Sequence, residues 1–174
     1  MDDGTVSVGA PGYGIAQNQT VGIDSLGDAS VNLGSGTDIL AYGNTNVTGI
    51  SIGNSGSLTA DSDLYITVNA QGGMLEDGIV LDNNSHADIG TGGGLYADGS
   101  SGLVQGVTVN DGSSFTADNF YTTLETTSTD SPTGRGIFLD GAGASADLGY
   151  DSTIELSGFY YGAGIDMMLS LIHI

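Results

Sequence analysis

Apolar residues along this chain return in pairs separated by one polar position, the alternation of a strand rather than the spacing of a helix. The pairs keep fixed distances from a recurring step of Gly followed by Ile or Val. It stands at Gly22-Ile23, Gly49-Ile50, Gly78-Ile79, Gly106-Val107, Gly136-Ile137 and Gly164-Ile165. Successive steps are 27, 29, 28, 30 and 28 residues apart, a period that suits one turn of a solenoid. Counted from the glycine, offsets +1 and +3 give Ile50 and Ile52, Ile79 and Leu81, Val107 and Val109, Ile137 and Leu139. Offsets +9 and +11 give Val31 and Leu33, Leu58 and Ala60, Ala87 and Ile89, Phe115 and Ala117, with Ala146 and Leu148 one residue later. A third pair at +17 and +19 gives Ile39 and Ala41, Ile66 and Val68, Leu95 and Ala97, with Ile154 and Leu156 again one later.

Three short strands per repeat follow. The turns between them are specified by residues that accept positive φ: Gly53-Asn54, Asp82-Asn83-Asn84, Asn110-Asp111-Gly112 and Gly141-Ala142-Gly143. Strands paired with their counterparts one turn on predict an all-β chain, a parallel β-helix of five to six rungs. At about 4.8 Å per rung the rod is roughly 25 to 30 Å long. Residues 1–21 read as an N-terminal part or partial rung and 22–167 as the array. Residues 168–174 (MLSLIHI) have no counterpart in the repeat and read as an artefactual tail. Neither end offers a distinct cap, so the expectation is a piece of a longer array.

A second period lies inside the first. Repeats at Gly49 and Gly106 carry SLTADS and SFTADN where those at Gly22, Gly78 and Gly136 carry VNLGSG, ADIGTG and ADLGYD. One outward position thus reads Asn32, Thr59, Asp88, Thr116, Asp147, and the next reads Gly34, Asp61, Gly90, Asp118, Gly149. The alternation sets like charges two rungs apart, about 10 Å or one Debye length. Inheritance of a duplicated pair of rungs explains it equally well.

Charge changes the picture next. Twenty-one acids face one Arg and no Lys, a formal net charge of −20, which excludes nucleic-acid binding because phosphate recognition needs clustered cations. Partners are neutral or cationic. The 31 Gly argue against helices, and the absence of Cys removes disulfides and thiolate metal sites. The opening MDDGTVSVGAPG has neither the basic start nor the apolar core of a secretory signal.

Acids are the only abundant reactive type, so a β-helix polysaccharide lyase or hydrolase is the enzyme reading. Asp61 with Asp63, or Asp88 beside Asp61 and Asp118, fits the separation of a carboxylate pair. Each of these acids recurs as a column member, however, and the lone cation Arg135 sits in a loop after Pro132. No catalytic residue and no cofactor is expected. The tandem GGxGxD pattern of calcium-loaded β-rolls is also missing, GTGGGLYADG being a loose echo, and no metal site is assigned. His86, beside the inward Ala87 and with no second histidine near it in sequence, reads as a solvated turn residue and not as a ligand or base. Tyr42, Tyr65, Tyr96, Tyr121, Tyr160 and Tyr161 fall near the third strand, where they either form an outward strip for sugars or a protein partner or reflect strand propensity. The longest departure from the repeat, LETTSTDSPTGR at 124–135, is the expected partner-binding loop, with Leu124, Thr126, Thr127, Ser128, Asp130 and Arg135 as its candidate residues.

The alternation of TADSDLYITV and TADNFYTTL with VNLGSGTDI and ADIGTGGGL resembles the passenger region of type V autotransporters, the pertactin-like adhesins of Gram-negative bacteria. The resemblance spans about residues 14–167 and implies a right-handed β-helix that is secreted and displayed at the cell surface. A C-terminal outer-membrane β-barrel in cis would anchor it. It implies adhesion or a stalk role, with glycans or proteins of host cells, matrix or neighbouring cells as partners. A phage tailspike or surface-layer β-solenoid is the other non-enzymatic reading.

Overall fold

The computed structural model describes residues 4–8, 19–100 and 102–168. Strand β1 (Gly4–Val8) precedes the first rung, which is β2 (Gln19–Leu26), β3 (Ser30–Leu33) and β4 (Thr37–Gly43). The second rung is β5 (Asn46–Gly53), β6 (Ser57–Ala60) and β7 (Ser62–Ala70), and the third is β8 (Leu75–Leu81) and β9 (His86–Gly99). The fourth is β10 (Leu103–Asn110), β11 (Ser114–Asp118) and β12 (Tyr121–Thr126). Then come β13 (Thr133–Asp140), β14 (Ser145–Asp147), β15 (Thr153–Ser157) and finally β16 (Tyr161–Met168). Among the described residues no helix occurs, and every strand pairing is parallel. The expected parallel β-helix is therefore the fold, with about five turns of three-strand rungs.

The first strands of the rungs form one six-stranded sheet, β16-β13-β10-β8-β5-β2. The second and third columns fuse into a ten-stranded sheet, because β9 runs unbroken through the corner that separates β6 from β7 and β11 from β12. It bends there at Gly90, Gly92 and Gly93, all at positive φ. The other corners turn as their sequences predict, with left-handed Asn54, Asn83, Asn84 and Gly112.

The recurring Gly-Ile step has a packing reason. Both residues face the interior, and a Cβ on Gly49 would stand 2.6 Å from the Gly78 carbonyl oxygen and 2.6 Å from Ile66 Cγ2. Gly22, Gly78, Gly106 and Gly136 meet the next rung's glycine carbonyl and the inward residue of their own third strand in the same way. A side chain here would force the rungs apart. The isoleucine that follows fills the space beside it. Ile50, Ile79, Val107 and Ile137 stack with the second and third pairs into one continuous core. Central rungs bury these columns completely, while Val31, Leu33, Ala146, Leu148, Ile154 and Leu156 near the ends are half-buried against them.

Rung four departs from the expected offsets. Its third inward pair is Thr122 and Leu124, in register with Leu95 and Ala97 below and with Ile154 and Leu156 above. The corner is one residue shorter than in its neighbours. Phe120 turns inward there, fully buried, its ring edge-on to Phe115 at 5.9 Å. At the C-terminal end Met168 pairs with Asp140 as the last residue of β16, so the repeat reaches one residue into the segment read as a tail. The remainder of that segment, 169–174, lies outside the described residues, as do 1–3 and 9–18 of the N-terminal part.

Candidate functional site: a tyrosine-walled slot on the third strand column

Along the third column, register alone assembles a slot. Tyr65 of β7 is opposite Gly94 of β9, and Gly94 is opposite Tyr121 of β12. These positions alternate with the buried Ile66, Leu95 and Thr122, so all three face outward. Two tyrosines thus stand two rungs, about 9.6 Å, apart with only a glycine between them. A Cβ at Gly94 would approach the Tyr121 carbonyl oxygen to 2.8 Å and Tyr121 Cβ to 3.5 Å. Tyr96, two residues along from Gly94 on the same face, closes one side between Thr67 and Thr123. The space holds about 300 Å³ and is lined by these three tyrosines and by the Gly93-Gly94 backbone. Tyr65 and Tyr121 are 50% and 51% exposed and Tyr96 is 38% exposed.

Acids rim the slot. The Tyr96 hydroxyl donates to Glu125 Oε2 at 3.0 Å. Partial burial first, and this hydrogen bond next, push that hydroxyl from 10.0 up to about 12. Glu125 is the strand-to-strand neighbour of Asp98, Asp38 adjoins Tyr65 in its column, and Glu155 adjoins Thr123. The single cation is elsewhere: Arg135 Nε pairs with Asp166 Oδ2 at 3.0 Å, and its guanidinium lies 4.2 Å from the Phe138 ring centroid on the six-stranded sheet.

Of the six tyrosines read as a strip, Tyr65, Tyr96 and Tyr121 form this slot, and Tyr42 stands on the same column opposite Asn69. Tyr160 and Tyr161 lie apart, exposed and edge-on to each other at 4.6 Å, where the chain enters β16. The expected partner-binding segment is shorter than its sequence outline. Leu124 and Thr126 belong to β12, with Leu124 at 0% exposure in the core and Thr126 buried, while Arg135 belongs to β13. Leu124 is unavailable to a partner, because outward and inward positions alternate and it falls inward. The loop proper is 127–132, the longest connection between strands among the described residues. It carries Thr127 and Asp130 exposed and Ser128 half-buried. Thr127 folds back through its backbone N–H and hydroxyl onto the Gly99 carbonyl oxygen, at 2.9 and 3.2 Å.

Other chemistry-bearing groups are ladder members. Asp88 lies between Thr59 and Thr116, with no second carboxylate next to it in its column. Asp88 and Asp147 each accept a hydrogen bond from a corner glycine, Gly90 N at 3.2 Å and Gly149 N at 3.1 Å. Asp118 fills the space over Gly149, which gives the Gly/Asp alternation a packing reason besides inheritance and charge. His86 has a partner, Ser114 Oγ at 2.8 Å from Nδ1. The pair is exposed and continues a column in which Ser57 donates to Ser30 Oγ at 2.9 Å. The 28-residue separation was the sequence signal for it.

One feature had no sequence signal. Glu76 occupies an inward position between Val47 and Val104 at 0% exposure, beside Gly99. Asp77 follows on the outer face at 6% exposure, between Thr48 and Gln105. Burial, and then the nearby Asp82 charge, push the Asp77 carboxyl from 3.8 up to about 7, against a Thr108 hydrogen bond that lowers it. Among the described residues no group of three or more His, Cys, Asp or Glu is placed to hold a metal ion, and no helix is long and apolar enough to cross a membrane. No family model, curated protein or solved structure matches the chain.

Proposed function

We propose that the chain is a rod segment of a secreted, surface-displayed protein of the autotransporter-passenger kind, acting by adhesion or as a stalk and not by turnover. The observation that supports this reading is the repetition of its reactive side chains. Asp88 and Asp147 each hold the corner of their own rung and His86 and Ser114 link one rung to the next, whereas the slot on the third column is walled mostly by tyrosines. Exposed tyrosines supply contact area with little conformational freedom to lose, which suits binding. A rod whose rungs touch only their neighbours folds progressively, and a chain without Cys crosses an oxidising compartment without forming disulfides on the way. Its net charge of −20 repels anionic surfaces, so the partner contributes neutral or cationic groups.

The test is to immobilise the chain and measure binding to cells, matrix proteins and a glycan panel, while assaying the same glycans for released fragments. Saturable binding without product is expected. Release of oligosaccharides would overturn the reading in favour of a β-helix polysaccharide enzyme. The export half is tested by the complete reading frame of the source gene, in which a secretory signal upstream and a ten-residue-strand β-barrel downstream are expected.

A further inference from the structure

We propose that the Tyr65–Gly94–Tyr121 slot is a binding site for a small quaternary ammonium cation of the choline type. This names the ligand chemistry of the tyrosine face and rests on the reading that the face binds and does not turn over.

Three features carry the inference. The first is spacing. A cation centred over Gly94 stands one rung, about 4.8 Å, from the Tyr65 position on one side and the Tyr121 position on the other, inside the ~6 Å reach of a cation–π contact. Subtracting one ring thickness of about 3.5 Å from the two-rung separation leaves a gap of about 6 Å, the size of a trimethylammonium group. A planar aromatic or guanidinium group would leave that gap partly empty. Tyr96 adds a third ring at the side, held in place by its hydrogen bond to Glu125.

The second feature is charge. On outward positions around the slot, Asp38 lies one rung beyond Tyr65, Glu155 one rung beyond Thr123, Asp98 two residues beyond Tyr96 and Glu125 two beyond Thr123, so all four add to a negative field about the site. Asp98 and Glu125 are directly paired neighbours, an arrangement of like charges that is unfavourable in itself and that concentrates negative potential on this side of the slot. Arg135, the chain's one basic residue besides its histidines, is engaged with Asp166 and Phe138 on the opposite sheet and does not compensate them. Phosphate- or carboxylate-bearing ligands are disfavoured by the same field.

The third is the lining itself. Rings make up most of the slot's wall, with Thr67 and Thr123 beside Tyr96, and the backbone of its glycine floor is committed to strand pairing. A primary ammonium between the rings would give up its water hydrogen bonds and find few acceptors besides the Thr67 and Thr123 hydroxyls, the acids standing at the rim, whereas a quaternary ammonium has no N–H to satisfy. The deep carboxylate Asp77 and its neighbours lie on the other sheet and play no part.

The experiment is a calorimetric titration of the folded chain with choline chloride, with tetramethylammonium, and with 3,3-dimethyl-1-butanol, the uncharged carbon isostere of choline. Choline is expected to bind with a Kd of about 0.1–1 mM that weakens with added salt, and the isostere at least about tenfold more weakly. Tyr65→Ala and Tyr121→Ala are each expected to weaken choline at least about tenfold, and Glu125→Gln about threefold, with the thermal midpoint of each variant confirming the fold. Equal binding of choline and its isostere, unchanged binding in Tyr65→Ala, or no saturable binding up to about 10 mM choline would overturn the proposal. Cell or matrix binding that choline does not inhibit would overturn the cation site and leave the adhesion reading standing. Choline binding by a chain that cleaves glycans would do the reverse.

Discussion

Glycine on the two sheets faces opposite ways, inward on the six-stranded one and outward at the slot. On the six-stranded sheet Gly22, Gly49, Gly78, Gly106 and Gly136 face inward, and each lies against the carbonyl of the next rung's glycine, so the fold requires every one of them. On the third column Gly94 faces outward between Tyr65 and Tyr121, where a Cβ would also crowd a neighbouring carbonyl oxygen, that of Tyr121 at 2.8 Å, and where its lack of a side chain leaves a gap between the two rings. The first kind recurs once per rung because rung stacking recurs. The second interrupts a column in which Asp38, Tyr65, Tyr121 and Thr153 are its counterparts. A repeated inward glycine in a solenoid therefore reads as core packing, and an outward glycine that breaks a column of larger residues leaves surface space as well as letting strands approach.

The sharpest way to break this comparison is Gly78→Val. Its branched side chain would be driven into Leu95 and within 2.5 Å of the Gly106 carbonyl oxygen, and a loss of about 4 kcal/mol or more is expected in urea denaturation. Should the variant be as stable as the parent, the inward packing role of the Gly-Ile step is wrong.

The next effect depends on pH. Asp77 has a folded pKa raised from 3.8 to about 7, so between those values the folded state binds the extra proton and stability falls as pH rises. Above about pH 7 the whole penalty is present. Asp77→Asn is expected to match the parent near pH 4 and to exceed it by up to roughly 4 kcal/mol at pH 8. Thermal midpoints of both proteins across that range decide it, and a constant difference would show that the carboxyl titrates normally.

Leu124→Ala separates core from loop within the segment first read as one loop. About 3 kcal/mol is expected from the cavity left beside Ala97 and Leu156, against under about 0.5 kcal/mol for Asp130→Ala on the exposed turn. Comparable values for the two would return Leu124 to the surface. A further small effect is that of Tyr96→Phe, under about 1 kcal/mol, which should delete the alkaline tyrosine titration near 12 seen by ultraviolet absorbance. Persistence of that step would assign it to another tyrosine.

Much of the fold is legible in the chain because strand alternation and corner chemistry are local. The pairs Ile50 and Ile52, Leu58 and Ala60, Ile66 and Val68 announce their inward faces two residues at a time, and Asn83-Asn84 announces the corner. The site is less legible. Tyr65 and Tyr121 stand out in sequence only as two of six tyrosines near the third strand, Gly94 does not stand out at all, and the three become a slot only when three rungs are laid in register. That register shifts by one residue in rung four, where inward Thr122 hides the apolar pair and Phe120 shortens the corner. Without that shift Leu124 reads as loop.

By itself the sequence determined the rung length, the three strands, the residues that face the core and the glycines that let rungs touch, since each follows from alternation, turn preference or period. Only the tertiary structure decided which outward side chains become neighbours, that β9 bridges two columns without a break, and that Glu76 and Asp77 end up buried. The physical reason is that facing inward or outward is settled within a strand, whereas lateral contact depends on the length of every corner between one rung and the next.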